Sequence, residues 1–273
     1  MDHGFVRAAD GTITSFDPQG STDTVPAAIN AGGVITGSWF DGSGLEHGLL
    51  RGAGGKITTI DPPDAINTEA QAINDAGSIA GYYIDGEYAW HGFLRARDGT
   101  VTTFDLYDSI QVVPGAINSG GDIAGYFLDS SGVGHGFLRE AQSGTITTFD
   151  VAGASDTYAF GIDGKDAVAG FFYTATGVGD AFVRPRDGTI RTFAPRGAEA
   201  TELYGMNERG ATTGFYDSSS GRHGFLRTPG RKIRSFDPPN STATVALGIS
   251  DSGAVTGEYS DSSGSWHGFI RTP

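Results

Sequence analysis

The chain has no cysteine, which excludes disulfide bonds, thiolate nucleophiles and cysteine metal ligands. No apolar run approaches the roughly 20 residues a helix needs to cross a bilayer. Positive charge is scarce: 18 Lys and Arg stand against 32 Asp and Glu, for a net charge of −14. Such a surface gains no counterion entropy from nucleic-acid phosphate and is repelled by anionic lipid, so neither partner is expected. No signal-peptide pattern is present, because Met1-Asp2 runs straight into patterned sequence. We read this as a chain from which a targeting segment has been removed. The lack of cysteine suits a secreted or cell-surface bacterial-type protein.

What the chain has in excess is glycine, 44 residues spread evenly among Thr, Ile, Phe and Tyr. That mixture predicts many short strands and many tight turns. One motif, His-Gly-Phe-aliphatic-Arg, organises the rest. It starts at His3, His47 (with Leu49 in the Phe place), His91, His135, His223 and His267, with a degenerate copy from Asp180 to Arg184. The steps between starts are 44, 44, 44, 45, 43 and 44 residues. A period near 44 built from strand-like pieces predicts radially repeated sheets, the blades of a β-propeller.

Each repeat reads as four strand-like pieces. In the second, Gln71-Ala72-Ile73 ends in the Asn74-Asp75-Ala76-Gly77 turn, and Ile79 to Ile84 forms the next piece. His91 to Arg95 follows, then the Asp98-Gly99 turn and Thr100 to Phe104. Over residues 1–273 the expectation is a single all-β domain, a six-bladed propeller of four-stranded blades. The chain opens with a third and a fourth piece, His3–Asp17, and closes with a first, second and third, Thr244–Arg271. N- and C-terminal strands are therefore expected to close the ring, with one of His3–Arg7 and His267–Arg271 in the last blade and the other displaced or paired with another molecule.

The stretch Ala72 to Gly81 followed by His91-Gly92-Phe93-Leu94 resembles the bacterial extracellular repeats named for a His-Ala-Phe tripeptide, and the resemblance runs through all six units. It departs from that family in carrying Gly at the Ala position; only Ala181 keeps Ala, and there Asp180 replaces His. The resemblance implies a propeller-forming extracellular protein and brings no catalytic residues with it.

Repeated polar residues are read as scaffold. Each motif His is expected to bond the Asp that ends the fourth strand: Asp17, Asp61, Asp105, Asp150 and Asp237. The degenerate repeat supplies a control, since Asp180 replaces the His and Ala194 the Asp. Dyads spread around a ring cannot converge on one reacting atom. Asn30, Asn74, Asn118, Asp163, Asn207 and Ser250 share one repeat position. Their oxygens would suit calcium, yet each lies in a Gly-bearing turn that favours Asn and Asp for local bonding, so no cofactor or metal is expected.

Function is expected where repeats differ on the long-loop face. If first strands line the axis, Glu69, Gln71, Tyr158, Glu202 and Tyr204 gather at one channel mouth. Trp39, Tyr88, Trp90, Tyr107 and Trp266 add aromatic faces in or beside the long loops, with Glu46, Glu87 and Arg222 nearby. Aromatic faces stack on sugar rings and charged groups bind hydroxyls. The leading expectation is a lectin-like carbohydrate-binding module using Gln71, Trp90, Tyr107, Arg222 and Trp266 on a polysaccharide or glycan. The alternative is a carbohydrate-active enzyme, a lyase, glycosidase or lactonase, with Glu69, Glu202, Tyr158 and Tyr204 as catalytic groups. A platform for protein partners ranks third.

Overall fold

Runs of β-branched and aromatic residues between Gly-bearing turns can satisfy their backbone only by pairing with neighbouring runs. The computed structural model, which describes residues 2–273, accordingly holds strands and no helix among those residues. A two-stranded sheet leads, β1 (Gly4–Arg7) and β2 (Ile13–Phe16). Next come β3 (Asp23–Ile29), β4 (Ile35–Phe40), β5 (Glu46–Arg51) and β6 (Ile57–Ile60), then β7 (Ala65–Ile73), β8 (Ile79–Asp85), β9 (Trp90–Arg95) and β10 (Val101–Phe104). The third set is β11 (Ser109–Ile117), β12 (Ile123–Asp129), β13 (Gly134–Arg139) and β14 (Ile146–Phe149). The fourth is β15 (Ala154–Ile162), β16 (Val168–Thr174), β17 (Gly179–Arg184) and β18 (Arg191–Phe193). The last are β19 (Ala200–Met206), β20 (Thr212–Ser218), β21 (Gly221–Arg227), β22 (Ile233–Phe236), β23 (Ser241–Ile249), β24 (Val255–Asp261) and β25 (Trp266–Arg271).

The middle sets are four-stranded antiparallel sheets in sequence order. β19 to β25 form one seven-stranded sheet, two repeats joined by a parallel bridge between Arg222 and Ala243. Two compact units result: residues 1–121 with 127–132, and residues 122–126 with 133–273. Within the first, β3, β7 and β11 lie side by side; within the second, β15, β19 and β23 do. The second and third strands of one sheet pack on the first strand of the next, as β4 and β5 do on β7.

Two recurrent glycines shape this packing, the second replaced by Ala181 in the fourth repeat. The second-strand glycine, Gly81 or Gly214, lies where an added Cβ would run into the carbonyl oxygen of Glu69 or Glu202. That close approach goes with a β-bulge in the first strand, where the register slips between Glu69 and Ala72, Ala159 and Gly161, and Leu203 and Gly205. The bulged residues include Gln71, Phe160 and Tyr204, whose side chains are thereby re-aimed. The motif glycine, Gly92 or Gly136, leaves room for the ring of Phe104 or Phe149 on the fourth strand. That ring also serves the next repeat: Arg184 stacks over Phe149 at 4.9 Å and Arg227 over Phe193 at 4.6 Å.

The termini do not behave as the repeat count predicts. β1 pairs with β2 and β25 pairs with β24, and neither is hydrogen-bonded to a strand from the opposite end of the chain. The sheets are not closed by the terminal strands: β25 takes the third place beside β24, whereas β1 and β2 make a two-stranded sheet of their own. Each copy forms the local hairpin that a short connection favours, which requires no long-range loop closure. The consequence is visible at Phe5, 59% exposed, whereas Phe93, Phe137, Phe182 and Phe225 are fully buried.

Candidate functional site

The repeated histidines and asparagines are engaged by the scaffold. His3, His47, His91, His135 and His223 bond through Nδ1 to Asp17, Asp61, Asp105, Asp150 and Asp237 at 2.7–2.8 Å. A second carboxylate joins some of them, as at His91 Nε2 and Asp85, 3.1 Å. Burial opposes charge on the His47 and His91 rings, but the Asp hydrogen bonds outweigh it and raise both above the ordinary value. Asn30 accepts the Val34 N–H and donates its side-chain amide to the Asn74 carbonyl, 3.1 Å. Asn74 donates likewise to Asn118, and Asn207 to Ser250. The side-chain oxygens of Asn30, Asn74 and Asn207 accept N–H groups within their own turns.

In the second unit the variable positions converge. Glu202 on β19 accepts from Tyr204 at 2.7 Å and from Tyr173 on β16 at 3.3 Å. Alternation along β16 puts Phe171 and Tyr173 on one face, and Phe171 pairs in register with Tyr158 on β15. Buried Phe171 is ringed by Tyr158, Phe160, Tyr173 and Tyr204 at 5.4–5.6 Å between centroids. Tyr126 stands edge-on to Tyr158 at 4.9 Å. Arg222 is held by Asp217 through two bonds of 2.8 and 3.0 Å and lies 4.2 Å over Phe215. Burial pushes the Tyr158 phenol up to about 12, helped by Asp156, and raises Tyr204, helped by Glu202. Both phenols therefore stay protonated donors at neutral pH.

In the first unit a smaller cluster forms around Glu69 on β7. Tyr82, its register partner on β8, donates a hydrogen bond to it, and Trp90 packs against Tyr82 at 4.7 Å between ring centroids. Glu46 reaches the same neighbourhood from β5, whose start is tied to β7 by the Glu46 N–H bond to Asn67, 3.0 Å. Burial raises the Glu46 carboxyl, the Glu69 charge adds to this, and a Ser38 hydrogen bond opposes it.

Of the residues singled out from sequence, Tyr158, Glu202, Tyr204 and Arg222 share one cluster. Glu69 and Trp90 share the other, each packed with Tyr82, and Gln71 sits in the bulge beside them. Tyr107 is 98% exposed in the β10–β11 loop, and Trp266 is 53% exposed on β25, where it pairs in register with Ser260. Tyr82, Tyr126 and Tyr173 were not singled out. The signal was available, because aligned repeats put Tyr82 and Phe171 opposite Glu69 and Tyr158 across one antiparallel pair. Glu46 was read only as a charge near the loops.

No protein-family model matches the chain, and no curated protein sequence does. Solved structures are similar to it in fold. A prolyl endopeptidase superposes with a TM-score of 0.63 at 13% identity, over 97% of this chain and 42% of its own. A putative TolB from Agrobacterium tumefaciens gives 0.60 at 9% identity, over 96% of this chain and 94% of its own. The BP39L lectin from Burkholderia pseudomallei gives 0.59 at 9% identity, over 99% and 91%. The chain thus spans less than half of the endopeptidase. At these identities the likeness is one of fold alone, and the fold is all-β and propeller-like.

Proposed function

We propose that the chain is an extracellular carbohydrate-binding module, a six-bladed propeller of His-Ala-Phe-type repeats that holds glycans in a lectin-like manner. The observation that carries this reading is repetition. Glu69 and Glu202 occupy the same repeat position and each accepts a phenol hydrogen bond, the phenols coming from different positions, Tyr82 on β8 and Tyr204 on β19. A lectin reuses equivalent groups in several repeats, whereas an enzyme needs a single asymmetric centre. Carboxylate lone pairs accept from sugar hydroxyls, and ring faces cover the apolar face of a pyranose. The BP39L lectin among the solved structures agrees with this reading without carrying it.

A second reading, a carbohydrate-active enzyme, is favoured by Glu46 beside Glu69. Burial raises the Glu46 carboxyl while Glu69 accepts from a phenol, which are the directions an acid and a base require. The deciding experiment incubates the protein with neutral and acidic polysaccharides and records retained binding and released sugar ends in the same samples. Binding without product supports the module. Product that disappears in Glu69→Gln and Glu46→Gln makes the chain an enzyme.

A further inference from the structure

The aromatic cluster of the second unit is larger than a single sugar requires. Its outer rings come from three successive repeats: Tyr126 from the third, Tyr158 and Phe160 from the fourth, and Tyr204 from the fifth. Centroids step 5.7 Å from Tyr126 to Phe160 and 5.2 Å from Phe160 to Tyr204. Phe171 and Phe215 are buried beside these rings, while Tyr126, Phe160 and Tyr204 are only partly buried. A core aromatic cluster would be covered, and a site for one sugar would need one or two rings. The polar groups along the row are Asp156, hydrogen-bonded to Tyr158 and to the Gly134 N–H, and Glu202 with its two phenols. The cation nearby, Arg222, is neutralised by Asp217.

We infer that this row is a subsite track for a linear, uncharged glycan chain, taking about three consecutive sugar rings, one on each of Tyr126, Phe160 and Tyr204. The inference rests on the carbohydrate-binding reading and specifies its ligand. Spacing selects the extended chain, because a terminal sugar would leave two of the three rings unused. Charge selects the uncharged chain: a uronate would face Glu202 and Asp156 within a molecule of net charge −14, with its one neighbouring guanidinium already paired.

The test is calorimetric titration of the intact chain with neutral β-linked oligosaccharides from monosaccharide to hexasaccharide, and with oligogalacturonates of the same lengths. Affinity is expected to rise about tenfold per added sugar up to about three and then level off. Tyr126→Ala and Tyr204→Ala should each move the plateau to shorter chains, while Tyr204→Phe should keep it. The wild-type length profile decides even if an alanine variant fails to fold. Equal affinity for monosaccharide and hexasaccharide overturns the track while leaving glycan binding intact. A length profile unchanged in both alanine variants overturns its location. Equal binding of oligogalacturonates overturns the charge selection. Failure of every oligosaccharide to bind overturns the carbohydrate reading and the track with it.

Discussion

In the first unit two carboxyl groups, Glu46 and Glu69, share the neighbourhood of one phenol, Tyr82; in the second, two phenols, Tyr173 and Tyr204, serve one carboxylate, Glu202. The backbone beneath is the same in both: a first-strand bulge opposite a second-strand glycine. What differs is the balance of donors and acceptors. The first cluster has acceptors to spare, and burial with the neighbouring charge raises the Glu46 carboxyl. The second is satisfied internally and offers flat rings. One repeat geometry thus supports two opposite electrostatic characters, set by three or four side chains placed on a fixed bulge.

The most disruptive change to this comparison is at the shared backbone. Gly81→Ala and Gly214→Ala each drive a methyl into a first-strand carbonyl, and each is expected to cost about 3 kcal/mol in chemical denaturation. If either variant is as stable as the parent, the bulge does not need the glycine and the common frame fails. A sharper probe is Glu46→Gln, which tests the surplus charge of the first cluster. The folded value of Glu46 lies above its ordinary 4.5, so the native state keeps the proton longer and loses stability as pH rises through the folded value. Melting curves should show the variant more stable than the parent at about pH 8 and equal to it at about pH 4. A parallel pH profile in both proteins would remove the contrast.

The smallest effect concerns the frame under the second cluster. The first unit keeps complete Asp85–His91–Asp105 bonding, but the fourth repeat has Thr174, Asp180 and Ala194 at those places. Burial raises the Asp180 carboxyl without a counter-charge. Asp180→His with Ala194→Asp should recover about 1 kcal/mol as a coupling energy in a double-mutant cycle, and Ala194→Asp alone should destabilise by setting two carboxylates together.

The repeat period, the strand class and the His–Asp pairs were legible because each is local or periodic: His91 lies on β9 and Asp105 directly follows β10, its hairpin partner. The pairing of Glu202 with Tyr204 was half legible, since both positions stood out as variable. The bulge that brings them together was not, because it depends on a glycine in the neighbouring strand. Glu46 and Glu69 come from different sheets, and their meeting follows from how β5 packs on β7, which no single repeat encodes. The terminal strands misled for a related reason. Counting pieces predicts what could pair, whereas β1 and β25 took the partners nearest in sequence.

The side-chain amides of Asn30 and Asn74 reach across to the next repeat and end on a main-chain carbonyl, one of the few groups that every residue but none in particular supplies. The same seam also carries a bond that does depend on the neighbour, since Asp75 and Asp251 accept the Ala31 and Glu208 N–H groups of the preceding repeat at 2.8 and 3.0 Å. A unit exchanged for another would keep this joint only if it retained both the Asn amide and the Asp carboxylate.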